Sequence, residues 1–282
     1  MSSPSKAVLI TGCSTGIGRA TAQRLAAGDW TVYATARRPE SIADLEQAGC
    51  RTLALDVTDE ASMKAAVDAV EANEGAVGVL INNAGYSQSG AIETVPMESV
   101  RRQFETNVFG VVRLTQLVLG NMRAQRWGKI VNVGSMGGRL TFPGGGHYHA
   151  TKYALEALSD ALRFEVKGFG IDVTLLEPGL IVTEFGEAAS GAMASIEGDE
   201  GPYAAFNAAV GSITKGAYDG PMKLLGAGPE KVARTIERTI GRRRSPARIT
   251  ITPSAKLMIG TRKLLGDRAW DAAMGAQFPK PS

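Results

Sequence analysis

The sequence predicts an α/β protein built on a parallel, doubly wound sheet. Three observations lead there. Short apolar, β-branched runs alternate with segments of helical periodicity as far as about residue 180. The runs are continuous rather than alternating, as in strands buried on both faces. A glycine-spaced loop, TGCSTGIG (Thr11 to Gly18), stands between the first run and the first helical segment.

In chain order, the strand AVLIT (Ala7 to Thr11) leads through that loop into the helical segment GIGRATAQRLAAG. TVYATA (Thr31 to Ala36) is the second strand, followed by helical ESIADLEQAG. RTLALDV precedes the helix EASMKAAVDAVEAN, and GVLINNAG precedes the long helix MESVRRQFETNVFGVVRLTQLVLGNM. KIVNVGS leads to the helix HYHATKYALEALSDALRFEV, and IDVTLLEPG closes the series of six strands. Beyond Gly179 the texture changes to a Gly-, Ala- and Ser-rich stretch with short helices. PEKVARTIERTIGRR then reads as a helix, ARITITP as a last strand, and AKLMIGTRKLLGDRAWDAAMGAQF as a helical tail. Neither an internal repeat nor an interdomain linker interrupts the chain, so one domain over 1–282 is expected, with its core at about 5–185 and the last helices and strand at about 229–282.

Bulk properties exclude several function classes. With 31 basic and 28 acidic residues the net charge is +3, which gives no global attraction to nucleic acid. The one basic run, Gly241 to Arg248, reads as a solvated helix end. Cys13 and Cys50 make no disulfide framework and lack metal-ligand spacing, so no metal is expected. The N-terminal residues lack the pattern of a signal peptide, and no apolar run approaches the ~18 residues of a membrane span, so a cytoplasmic protein is expected.

The glycines at 12, 16 and 18 sit at the first strand–helix junction of a βαβ pattern. Backbone amides at a helix N-terminus hold an anion, and missing side chains let a pyrophosphate approach. A lone glycine triplet would also serve as a tight turn; the βαβ context favours the dinucleotide. Where an NAD-binding fold carries an acid for the ribose hydroxyls, this chain has Ala36, Arg37 and Arg38. Two arginines suit a 2′-phosphate, so NADP is favoured and NAD is the alternative; the bland reading is a pair of surface arginines.

TGCSTGIG, NNAG (Asn82 to Gly85), Asn107, Ser135 and YHATK, in this order, resemble the short-chain dehydrogenase/reductase family over about residues 5–185. The resemblance implies a single Rossmann-type domain of seven parallel strands, alcohol–carbonyl interconversion with NAD(P), and a homodimer or homotetramer. It places Asn107, Ser135, Tyr148 and Lys152 in the catalytic set. It places Gly12, Ser14, Thr15, Gly16, Ile17 and Gly18 on the pyrophosphate, Asp56 and Val57 at the adenine, and Asn83, Ala84 and Gly85 along the ribose. Pro178, Gly179, Val182 and Thr183 fall beside the nicotinamide. Histidine after the tyrosine and the glycine-rich PGGGHY before it depart from the family pattern. VYATARR and the C-terminal third resemble the 17β-hydroxysteroid and retinol dehydrogenase-like branch, which implies a lipophilic alcohol or carbonyl substrate.

The chemistry of Tyr148 and Lys152 can be argued from their spacing. A free tyrosine, with a pKa near 10, is a poor base at neutrality. Lysine four residues on shares its helix face. Two unit charges ~5 Å apart at an effective dielectric of ~20 interact by roughly 3 kcal/mol, or about two pKa units. Tyr148 then serves as general acid or base, and Lys152 also holds the ribose. Ser135 would hydrogen-bond the substrate oxygen. Asn107 lies in a helix interior, where asparagine is a poor helix former, and would hold a relay water beside Lys152. His147 and His149 are expected to flank the site. A 3-oxoacyl-type reductase and a non-catalytic NADP(H) sensor are the alternatives; the complete set of four argues against the sensor. The segment from Glu184 to Leu225 would be a lid over the pocket, carrying Phe185, Met193, Ile196, Tyr203, Phe206, Met222, Leu224 and Leu225.

Overall fold

The computed structural model describes residues 3–183 and 201–281. Seven strands form one sheet in the order β3-β2-β1-β4-β5-β6-β7. They are β1 (Ala7–Ile10), β2 (Thr31–Ala36), β3 (Arg51–Ala54), β4 (Val79–Asn82), β5 (Gly128–Val133), β6 (Ile171–Glu177) and β7 (Arg248–Thr250). Every pairing is parallel. Parallel strands require crossovers over a face, and these are α1 (Gly16–Ala26), α2 (Glu60–Glu74), α3 (Met97–Phe104) with α4 (Gly110–Ala124), and α5 (Gly146–Val166). After β6 come α6 (Ala204–Asp219), α7 (Pro229–Ile240), α8 (Pro253–Leu264) and α9 (Asp267–Gly275).

The continuous apolar strands have the burial they predict. Val8 and Ile10 of β1 face one core with Leu25 of α1 and Val232, Ile236 and Ile240 of α7. Ala7 and Leu9 face the other with Val67 and Val70 of α2 and Leu114, Val118 and Met122 of α4. The central strands β1, β4 and β5 thus bury both of their faces and need no polar alternation, whereas the edge strands β3 and β7 stay partly exposed.

Three segments differ from the sequence reading, one being the stretch read as short helices, where Ala204–Asp219 forms the single 16-residue helix α6. ESIADLEQAG, read as a helix, forms a 3₁₀ run over Pro39–Glu46; only Ile42 and Leu45 anchor it, too few apolar positions for a longer helix. The long helix from Met97 is interrupted by a π turn at Glu105–Phe109, where Gly110 N–H bonds the Glu105 carbonyl five residues back. The first part of the expected lid lies outside the described residues.

Strand order reverses direction at β1 and β4. In open α/β sheets that switch point leaves a crevice at the carboxyl ends of the strands. The glycine loop, Asn83–Gly85, Ser135 and Pro178–Gly179 follow β1, β4, β5 and β6 respectively, so all open onto that one edge.

Candidate active site

The crevice floor is the junction of β1 with α1. Helix α1 starts at Gly16 with no side-chain cap and no acid in its first turn, so its amide end is open to an anion. Gly12 (φ 72°) and Gly16 (φ 55°) take the left-handed backbone this turn needs. A Cβ on Gly18 would lie 2.2 Å from the Gly12 carbonyl oxygen and 2.5 Å from Asn83 Nδ2, so only glycine lets the helix close on the loop. Ser14 and Thr15 are exposed beside it, while Ile17 packs on the core.

The NNAG segment is tied to the same loop. Thr11 Oγ1 accepts the N–H groups of Asn83 and Ala84, each at 2.9 Å. Asn83 Nδ2 donates to the carbonyls of Thr11 (2.9 Å) and Gly12 (3.0 Å). Its side chain therefore braces the loop, leaving Ala84 and Gly85 to present backbone. The Thr183 side chain stands 3.4 Å from where a Gly16 Cβ would be, so the segment after β6 closes the other side. Gly179 N–H bonds Thr252 Oγ1 (3.1 Å), and Val182 N–H bonds the Ala227 carbonyl (2.9 Å), fixing Pro178–Thr183 at the rim.

Arg37 and Arg38 follow β2 at this edge; both are exposed, and neither is ion-paired among the described residues. Arg37 is near enough to Tyr86 for its charge to oppose the burial-driven rise of that phenol. Asp56 Oδ1 accepts from Thr58 N (2.9 Å) and Thr58 Oγ1 (2.8 Å), and Val57 is buried against Gly110.

Across the sheet, β5 and α5 bring up the remaining residues. Lys152 is buried, and its Nζ donates to the Val133 carbonyl at 2.9 Å. It sits 5.6 Å from the centroid of the Tyr148 ring. Burial pushes the lysine down from 10.5 to about 8, which leaves it mostly charged at neutral pH. Ser135 caps a short 3₁₀ turn, its Oγ accepting from Gly137 N at 3.0 Å. A Cβ on Gly85 would lie 3.1 Å from Asn107 Oδ1 and 3.9 Å from Lys152 Nζ, so these three residues meet at one point.

Asn107 sits in the π turn, a feature frequent at functional sites. Its Oδ1 accepts from Tyr86 N (3.1 Å), and its Nδ2 donates to Tyr86 O (2.9 Å) and Thr151 Oγ1 (3.1 Å). Thr151 in turn donates to the Tyr148 carbonyl at 2.7 Å. Sequence reasoning missed Thr151 and Thr11; both lie inside or beside the motifs, but a buried hydroxyl linking two segments has no periodic signature. His149 is buried and held at about 4, so its imidazole is neutral, and its Nδ1 accepts from Phe142 N at 3.2 Å. It flanks the tyrosine as a packing group.

Helix α6 stands over the loop before Tyr148. Val210 packs where a Gly144 Cβ would be, and Asn207 Oδ1 accepts from Ala91 N at 3.0 Å. Val210 clusters with Phe206, Ile213 and Phe278. Cys13 is a poor nucleophile, its thiol pushed up to about 12 by burial. The open amide end, the left-handed glycines and the small residues Ala84 and Gly85 fit a dinucleotide laid across the switch point.

The model of the short chain dehydrogenase family matches residues 6–193. The chain belongs to the short-chain dehydrogenase/reductase family. This member is 36% identical to 3-ketodihydrosphingosine reductase of Bacteroides thetaiotaomicron, with 91% of each chain covered. It is 34% identical to the NADPH-dependent 3-dehydrocapnine reductase of Ornithobacterium rhinotracheale, covering 93% of this chain and 94% of that one. Among solved structures it resembles a short-chain dehydrogenase from Streptomyces avermitilis (TM-score 0.78, 34% identity, 98% and 96% covered). It also resembles a family member from Burkholderia phymatum in complex with NAD (TM-score 0.78, 25% identity, 93% and 94% covered). The dehydrogenase is thus an oxidoreductase of a family whose members bind nicotinamide cofactors. Among its described residues no helix is long and apolar enough to cross a membrane.

Proposed function

We propose that the protein is an NADPH-dependent reductase of a lipophilic ketone, with Tyr148 as its proton donor. The observation that carries the reading is the buried Lys152 ammonium, 5.6 Å from the centroid of the Tyr148 ring, on the crevice edge that also holds Ser135. The glycine loop, with Arg37 and Arg38 toward the 2′-phosphate, would hold NADPH, whose chemistry would be hydride donation. Tyr148 gives its phenolic proton to the carbonyl oxygen as charge develops there. Ser135 Oγ already accepts from Gly137 N–H, which leaves its own hydrogen for that oxygen. Lys152 keeps a positive charge beside the phenolate and reaches the ribose. Both ends of the Asn107 side chain are taken, so the relay water would meet the backbone of the π turn.

The substrate class rests on the two relatives whose names describe reduction of a 3-keto or 3-dehydro group, and on the apolar wall of Phe206, Val210 and Phe278. On the same reading the lid spans 184–225 of a single domain, and the protein is a cytoplasmic homodimer or homotetramer; strongly exposed Phe109 and Phe164 suit a subunit interface. The test follows NADPH absorbance with ketones graded from small polar to long-chain, using wild type and Tyr148→Phe. Long-chain 3-ketones are expected to be preferred. Tyr148→Phe is expected to lose turnover while binding NADPH within a few-fold. A tenth of wild-type activity surviving in the variant refutes the proton role, and a preference for small polar carbonyls refutes the substrate class.

A further inference from the structure

Behind the Tyr148 helix, on the side away from the glycine loop, four charged side chains from four elements meet. Glu156 lies on α5, one turn beyond Lys152 and two beyond Tyr148. Glu177 is the last residue of β6, immediately before Pro178. Arg139 follows the 3₁₀ turn that Ser135 caps. Arg248 opens β7. Arg248 Nε donates to Glu156 Oε2 at 2.8 Å and lies 3.7 Å from Glu177 Oε1; its Nη2 bonds Asp160. Arg139 Nη1 donates to Glu177 Oε1 at 3.1 Å and lies 3.8 Å from Glu156 Oε2. Thr250 Oγ1 donates to Glu177 Oε2 at 2.7 Å. Only 8% of Glu156 and 3% of Glu177 is exposed.

Two buried carboxylates are an expensive way to join elements. Well-packed apolar side chains of similar volume commonly hold a fold as well or better. What they lack is direction: an apolar contact tolerates sliding and rotation, whereas the planar fork of arginine fixes its partners in distance and angle. Three of the four elements fixed here carry the three parts of the proposed site: the Ser135 turn, the Tyr148–Lys152 helix, and the strand leading to Pro178–Gly179. The turn is also seated directly on the helix. A Cβ on Gly138 would lie 2.9 Å from the Lys152 carbonyl oxygen and 3.0 Å from Glu156 Cγ.

We infer that the Arg139–Glu156–Glu177–Arg248 cluster is a positioning device that sets Ser135 against Tyr148, with Arg248 and Arg139 as positioning residues for the proton-transfer step. The inference rests on the proposed roles of Ser135, Tyr148 and Lys152. Tyr148, Lys152 and Glu156 are spaced by four on one helix, so a small roll of α5 at Glu156 moves the phenol relative to Ser135. A misplacement of about 1 Å is enough to cost about 10²-fold in rate.

The test separates positioning from stability. The double variant Arg248→Met/Glu156→Met removes one arginine and one carboxylate together, leaving Arg139 with Glu177 and Arg163 with Asp160. It is expected to melt at or above the wild-type temperature and to bind NADPH within threefold, because the glycine loop and Arg37 lie beyond the helix. Its kcat is expected to fall tenfold or more, and the pH limb of kcat that reports Tyr148 to move upward. Arg139→Lys, which keeps the charge and loses the fork, is expected to show a smaller fall in kcat with NADPH affinity unchanged, and it carries the test if the double variant does not fold. A folded double variant, or Arg139→Lys in its place, with kcat within twofold of wild type overturns the inference. So does a loss shared equally by kcat and NADPH affinity, which marks general damage. Tyr148→Phe reports separately on the catalytic reading: if it stays inactive while these variants are fast, only the positioning claim has failed.

Discussion

Lys152→Met is expected to make the protein more stable and catalytically dead. Burial holds the ammonium at about 8 instead of 10.5, a difference of about 3 kcal/mol that the folded state bears at pH 7. Methionine occupies a similar volume without the charge, so that cost disappears. Against this, the Val133 carbonyl loses its donor at 2.9 Å, worth about 1–2 kcal/mol. The net expectation is a gain of about 1–2 kcal/mol at pH 7, or a few degrees in Tm. The pH dependence identifies the cause. Between pH 8 and 10.5 the unfolded wild-type chain holds the Lys152 proton and the folded one does not, so wild-type stability rises with pH through that window. The variant lacks this gain, and its advantage should be gone by pH 10. Denaturant unfolding of both proteins at pH 7 and pH 10, without added cofactor, measures the difference, and other titrating groups cancel. A variant less stable than wild type at pH 7, or a difference that does not move with pH, refutes the account of a buried ammonium tolerated for function.

Arg37→Ala is expected to weaken NADPH binding by about 1–3 kcal/mol, the scale of a charged hydrogen bond left unmade, and to leave NADH binding unchanged; titration with both cofactors checks this, and equal losses would show that Arg37 does not read the 2′-phosphate. Ala36→Asp should favour NADH in the same assay by repelling the phosphate and accepting from the ribose. His149, held at about 4 by burial, contributes stability that is present above 6.5 and lost as pH falls toward 4, by about 3 kcal/mol. His149→Gln keeps an acceptor for the Phe142 N–H, so its unfolding free energy should fall less between pH 7 and 4.5; an unchanged slope would mean that the imidazole is not buried neutral.

The sheet, its parallel sense and the crevice are legible in the amino-acid sequence. Continuous apolar runs such as AVLI and VLIN cannot be half-exposed, and short-range periodicity marks the helices between them. The sequence also placed the residues at the carboxyl ends of strands, because Gly12, Asn83, Ser135 and Pro178 each follow an apolar run directly. The spacing of Tyr148 and Lys152 carried their pairing, since a helix turn is a local object. How these pieces hold one another emerges only in the folded chain. Asn107 was legible as an oddity in a helix, but its bonds to Tyr86 and Thr151 depend on the π turn packing between α5 and the chain that follows β4. Asn83 matched a cofactor contact by position, yet its amide is spent on the loop carbonyls. Arg139, Glu156, Glu177 and Arg248 are separated by up to 109 residues and look like ordinary charges, because burial and partner are properties of the folded neighbourhood. A pattern within one helix or strand is written in its own periodicity, whereas a contact between elements far apart in sequence has no local trace.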